Sequence, residues 1–312
     1  MEKQCAIKKT SIGGQALIEG VMMRGPERTA MAVRHVSGEM VTEEWDNPVN
    51  NRPAFTRWPF VRGLFNFVDS MRYGYKCLMR SAELSGLEEE EKPATEEEQK
   101  KNQALFNVLM VVAAALGVGV ALVLFMYLPS QLFYWLTRAV PSLDQPHWRG
   151  IFEGVLRIAI FVGYVMLISL MKDIRRTFQY HGAEHKTIFC YEKGLELTVE
   201  NVRAQSRFHP RCGTSFMILM LLVGIVVSIL IPIANPIPRT AVKLLMLPLV
   251  VGVGYELIKL AGRVDNALTR AFSAPGLWLQ RITTREPDDG MIECAIASLK
   301  AVIPADPEGD NW

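Results

Sequence analysis

The chain has 312 residues, with 34 Lys plus Arg against 32 Asp plus Glu, and a net charge of +2 that argues against binding to nucleic acid or another polyanion. Half of its residues are hydrophobic and mean hydropathy is +0.15, so it is neither a disordered chain nor a small scaffold dependent on disulfides. Its five cysteines, Cys5, Cys77, Cys190, Cys212 and Cys294, are scattered, odd in number and free of any CxxC spacing, which suggests reduced thiols rather than a disulfide framework or a zinc ribbon.

The first residues, MEKQCAIKKTSIGG, are basic but lack the apolar core of a secretory signal, so internal spans are expected to direct insertion. Between residues 11 and 46, turns at Gly13-Gly14, Arg24-Gly25-Pro26 and Ser37-Gly38 alternate with short apolar runs, the pattern of strands and hairpins. Residues 1–58 therefore read as a small strand-rich cytosolic domain. From Val61 the period changes: Val61, Leu64, Val68, Met71, Tyr75, Leu78 and Ala82 recur every three or four residues among arginines and a lysine. This predicts a basic amphipathic helix over 59–84, lying in a membrane interface or covering the strand domain. The acidic stretch over 85–104 reads as a solvated linker.

Four spans are expected over 105–262. Leu105 to Leu128 carries no charge, and at ~1.5 Å per residue it crosses a hydrocarbon core of ~30 Å. The second, Gly150 to Met171, includes Glu153 and Arg157 four residues apart. Phe216 to Ile233 is uniformly apolar and ends among Pro232, Pro236 and Pro238, which predicts a hairpin into Thr240 to Gly262. Pro248 predicts a kink or a re-entrant path in this fourth segment, which also holds Lys243, Glu256 and Lys259. The loop between spans two and three, 172–215, holds eight lysines and arginines, against Arg138, Arg149 and Arg239 in the other two connections. That asymmetry predicts a multi-pass protein of the plasma membrane with both termini cytoplasmic and the lipid bilayer as its partner. The ionisable Glu153, Arg157 and Glu256 also raise a transport reading, weakened by the absence of an internal repeat. Residues 263–312 read as a cytosolic helical segment in which Glu286, Asp288 and Asp289 favour a helix N-terminus. The fold class expected is a mainly α membrane protein, a four-span bundle with a small N-terminal β-containing domain.

Chemistry concentrates in the 172–215 loop, which carries three of the five histidines. On a helix His181 and His185 share one face, and with Glu184 they fit H-x-x-E-H, in which two histidines bind a metal and the carboxylate serves as general base. His209 and Cys212 in HPRC offer further ligands. All four together would close a structural tetrahedron, whereas three would leave a catalytic position. Glu192 lies seven residues past His185 and could join the same ion only if the helix ends or bends first. Two other readings stand beside this one: the histidine pair as a structural feature, and Cys212 as a nucleophile with His209 as its base. Arg203, Arg207 and Arg211 enforce topology or hold a lipid phosphate.

Six segments, GGQALIEGVMMRGP at 13–26, Arg62-Gly63, HGAEHKTI at 181–188, Tyr191-Glu192, HPRCGTSF at 209–216 and TTREPDD at 283–289, together resemble the YqhQ-like family of bacterial integral membrane proteins, described as candidate metal-dependent enzymes of uncharacterised function. The resemblance covers most of the chain. It implies a membrane location and a metal site on His181, Glu184, His185, His209 and Cys212, without a substrate. The expectation is a hydrolase acting on a membrane-associated substrate, with a divalent metal, zinc first, held by His181, His185 and either His209 or Cys212, and Glu184 as base. A non-enzymatic scaffold with a structural zinc is the alternative. Glu19 and Arg24 in the first segment are candidates for a second wall of the site.

Overall fold

A computed structural model describes residues 9–47, 53–87, 96–264, 266–305 and 310. In chain order the strands are β1 (Gly13–Leu17), β2 (Gly20–Arg24), β3 (Arg28–Arg34) and β4 (Met40–Asp46). The helices are α1 (Val61–Ser85), α2 (Glu96–Leu122), α3 (Leu128–Ala139), α4 (Pro146–Ile168), α5 (Lys172–Glu192), α6 (Val199–Arg203), α7 (Gly213–Ile229), α8 (Pro236–Leu245), α9 (Leu247–Arg263), α10 (Ala267–Thr283) and α11 (Asp289–Val302). The protein is mainly helical with a small N-terminal antiparallel sheet, and it divides into two compact units.

The first unit combines Met1–Glu88, Tyr164–Leu219 and Val251–Trp312. Its sheet is a meander in the order β1-β2-β3-β4, with Gly13 opposite Arg24 and Arg28 opposite Asp46. Successive strand residues point to opposite faces, and here both faces are covered. Val21, Met23, Ala30 and Ala32 join Tyr180, Ala183 and Ile188 of α5 and Ile292, Ala295 and Leu299 of α11 in one core. Leu17, Met22 and Met31 pack with Cys77 of α1 in a second. This accounts for the neighbouring methionines of GVMMRG: each fills a different core, and an unbranched thioether suits the irregular space under a small sheet. Helix α1 thus covers the sheet with one side, while Val68, Met71 and Tyr75 remain exposed.

Helix α5 ends in a left-handed turn. Gly194 has φ +64°, its N–H donates to Tyr191 O at 2.9 Å, and Leu195 N–H donates to Cys190 O at 3.1 Å. Helix α11 starts from Asp288, whose carboxylate accepts from Met291 N–H at 2.9 Å. Asp289 pairs with Arg203, and Glu286 pairs with Lys186 at 2.8 Å. The acidic residues before and within this helix are therefore explained by capping and ion pairs.

The second unit combines Glu89–Gly163 and Met220–Val250. Helices α2 and α3 join through a π-helical turn at Val123–Tyr127. Gly150 and Gly154 of α4 lie against Ile229 and Ile225 of α7, a small-xxx-small approach of the kind that packs helices in lipid. At the unit's centre Glu153, fully buried, accepts from Ser130 at 2.8 Å, Ser228 at 3.1 Å and Arg239 at 3.1 Å, and pairs with Lys243. Arg239 also donates to Ser228 O at 2.8 Å, satisfying a carbonyl near the end of α7.

The four expected spans reduce to fewer. Among the described residues two helices are long and apolar enough to cross a membrane, Val108–Ala139 and Trp148–Ile168, or three when α8 and α9, bent by 49°, count as one span. The apolar helix over the third expected span has 17 residues, so at ~1.5 Å each it falls short of a ~30 Å core by itself. The expected linker also differs: residues 96–104 belong to α2, and 88–95 lie outside the described residues.

Candidate metal centre

Helix α5 places His181, Glu184 and His185 on one side, toward the HPRC segment that precedes α7. His181 Nε2 lies 3.2 Å from Cys212 Sγ, and the ligand atoms of His181, His185 and Cys212 all fall within 4.8 Å of one another. Each imidazole is oriented from behind. His181 Nδ1 donates to Thr283 O at 2.8 Å, at the end of α10, and His185 Nδ1 donates to Arg207 O at 2.6 Å. A carbonyl only accepts, so in the neutral rings the proton sits on Nδ1 and the Nε2 lone pair is left for an ion, the outer-shell arrangement typical of metal-bound histidine. Two imidazoles and a thiolate suit zinc, whose bonds of about 2.0–2.3 Å put neighbouring ligand atoms about 3.5 Å apart.

The electrostatics agree with that donor set. Burial opposes the Cys212 thiolate, but His181 and His185 outweigh it and hold the thiol well below its usual range. Burial likewise opposes a charged His181, yet the facing Cys212 raises it to about 9. Glu184 Oε2 stands 3.9 Å from His181 Nε2. Burial pushes its carboxyl up, against the opposing pull of both histidines and an N–H bond from Gly14. A Cβ on Gly14 would meet Glu184 Cγ at 2.6 Å and Met23 Sδ at 2.8 Å, so only glycine lets β1 lie against that carboxylate.

His209 lines the same space, its ring 5.6 Å from that of His185, but falls outside the ligand trio, and Glu192 stands beside it. His209 Nε2 is 3.6 Å from Glu192 Oε2, and its Nδ1 accepts from Arg211 N–H at 3.3 Å. Burial holds His209 below its ordinary pKa. Helix α5 stays continuous to Glu192, which therefore projects beyond the His181–His185 turn, where it pairs with Arg211 and accepts from Thr10 N–H at 2.9 Å. Arg203 and Arg207 are engaged by Asp289 and by Thr284 O. The side chain of Gln280 reads the backbone of the HPRC turn, accepting from His209 N–H at 2.8 Å and donating to His209 O at 2.7 Å. Gln280, Thr283 and Gly14 position the centre; Gly14 and Thr283 stood in segments singled out from the sequence, and Gln280 did not.

His181, Glu184, His185 and Cys212 face a cavity of about 470 Å³, walled also by Gly14 and Met217. Residues 58–305, which include all four, match the sequence family described as Protein of unknown function (DUF1385). The chain belongs to the DUF1385 family. A relative, the uncharacterized protein YqhQ of Bacillus subtilis (strain 168), is 35% identical over 296 residues, which are 93% of this chain and 92% of the relative. The YqhQ-like resemblance of the sequence motifs is thereby shown as membership of this DUF1385 group. No solved structure matches the chain.

Proposed function

We propose that this DUF1385 protein is a metal-dependent hydrolase, in which His181, His185 and Cys212 hold a divalent ion, zinc by the donor set, and Glu184 is the general base. The observation that carries the reading is the shared cavity: three ligand atoms and a carboxylate face open space, while His209, which could have closed the tetrahedron, is turned to Glu192. Bound zinc supplies Lewis acidity toward a carbonyl or phosphoryl oxygen. Glu184 takes a proton from the attacking water and returns it to the leaving group, a task favoured by the raised affinity of its carboxylate for protons. Thr283 and Arg207 carbonyls fix the imidazoles, and Ile188 and Met217 add apolar surface to the cavity wall.

The substrate is membrane-associated, and the centre works at the cytoplasmic face of a multi-pass plasma-membrane protein with both termini inside. The long apolar helices and the concentration of basic residues over 172–215 support this reading. Elemental analysis of detergent-purified protein tests the centre. Near-stoichiometric zinc in the wild type, lost in a folded His181→Ala, His185→Ala variant, is expected; no metal in either, even after reconstitution, overturns the reading. A structural zinc in a non-catalytic scaffold is the second reading, favoured by the burial of His185 and Cys212. It predicts that the double variant loses the fold around α6 rather than an activity.

A further inference from the structure

A second cavity of about 330 Å³ lies on the other side of β1, and the two cavities share Gly13, Gly14 and Gln15 as wall. The alternation of the strand explains the division. Gly14 faces Glu184, whereas Gln15 reaches Gly74 of α1. On the α1 side Met22 and Arg24 of β2 line the second cavity together with Ser11, Ser70 and Tyr73. Gly13 would direct a Cβ into space with no atom within 4 Å, so the strand is thin and uncovered where the cavities adjoin.

Arg24 is the charge in this second space. Its Cζ sits 4.6 Å from the centroid of the Tyr73 ring, and among the described residues no carboxylate pairs with it. Thr29, which also lines the cavity, gives its hydroxyl proton to Asn47 at 2.6 Å, and Ser11 gives its own to Asp310 at 3.0 Å. Arg24, Ser70, the Tyr73 hydroxyl and the Gln15 amide remain as donors. A guanidinium held against an aromatic face keeps the N–H groups at its rim for a ligand, and a cation with hydroxyl and amide donors in the same cavity suits an oxyanion with several acceptor oxygens, such as a phosphate ester.

We infer that the Arg24 cavity binds a phosphate ester group of the substrate, whose labile bond then lies across Gly13-Gly14 at Glu184 and the three ligands. The second half of this statement rests on the proposed hydrolase; the phosphate site itself does not. It gives the GVMMRGP segment a role that the metal centre leaves unused, and the phosphate comes from either a lipid headgroup or a soluble ester.

Calorimetric titration of the full-length protein in detergent separates these points, with glycerol 3-phosphate as the soluble probe and dihexanoyl phosphatidate as the lipid probe. Binding of at least one probe to the wild type is expected, weakened tenfold or more in Arg24→Gln with metal content unchanged, and retained in the His181→Ala, His185→Ala variant. Binding of both probes identifies the phosphate ester alone as the determinant; binding of phosphatidate only identifies a lipid. Should Arg24→Gln misfold, Ser70→Ala on the exposed side of α1 is expected to weaken the same probe about threefold. Failure of both probes on the wild type, undiminished binding in Arg24→Gln, or binding lost with the histidines overturns the site. Arg24-dependent binding by a protein that holds no metal leaves the site standing and removes the hydrolase.

Discussion

His181 and Cys212 share a single proton at neutral pH, carried by the imidazole while the thiol is ionised. A metal takes only the unprotonated Nε2, so binding must expel that proton. Zinc affinity is therefore expected to rise about tenfold per pH unit below 9 and to level off above it, as His181 titrates near 9; a competition titration with a chelating dye checks the slope, and an affinity flat from pH 6 to 9 contradicts it. Glu184→Gln removes the proton acceptor and leaves all three ligands. It should keep full zinc content and lower hydrolysis of any identified substrate by about 10²–10⁴. At this scale the H-x-x-E-H and HPRC strings were readable because their chemistry is local. That Cys212 faces His181 while His209 faces Glu192 beside Arg211 was not, since it depends on contacts distant in sequence.

Helix α5 carries the centre and is held by close approach. A Cβ on Gly182 would run into the carbonyl of Arg285, two residues after the Thr283 carbonyl that orients His181. Gly182→Ala is expected to cost about 1–3 kcal/mol through overpacking and to weaken zinc together with stability, read as a lower melting temperature and a reduced metal content. Unchanged values of both would show that the α10–α11 connection yields freely. The strands of the meander and helix α1 followed from periods of two and of three to four, because each has a face to bury. The spans were less legible. Composition marks which residues avoid water, but the bend between α8 and α9 and the shortness of α7 arise from proline placement and packing that charge-free runs do not encode.

The first unit is assembled from three stretches distant in sequence, with its ends tied together. Asp310, fully buried, accepts from Thr10 Oγ1 at 2.6 Å, Ser11 N–H at 2.8 Å and Tyr191 Oη at 3.0 Å. Asp310→Ala leaves these donors without an acceptor and should cost about 3 kcal/mol, measurable as a shift of the denaturation midpoint. Burial opposes ionisation of both Asp310 and Glu192, but hydrogen bonds from Thr10 to the first and from His209 to the second, with Arg211 beside it, hold both carboxyls below their ordinary values. Groups depressed in the folded state stabilise it above their unfolded values of 3.8 and 4.5, and that contribution disappears as pH falls through the folded ones. Near-ultraviolet dichroism should thus be flat above pH 5 and decline below about 4. A reading of the chain as consecutive domains could not anticipate this closure, because hydrophobic pattern shows which residues are buried and not which distant stretch buries them.

The order of synthesis gives that closure a cost in time. The sheet is complete at Asp46, yet the side of it formed by Val21, Met23, Ala30 and Ala32 waits for Ile292, Ala295 and Leu299 of α11, which leave the ribosome much later. At about 5–20 residues per second the nascent strands stand with that apolar side unsealed for roughly 10–50 s. Thr283, which sets the His181 ring, also arrives long after α5. In the proposed reading the centre can therefore take up metal only once α10 has followed α5 and the HPRC turn.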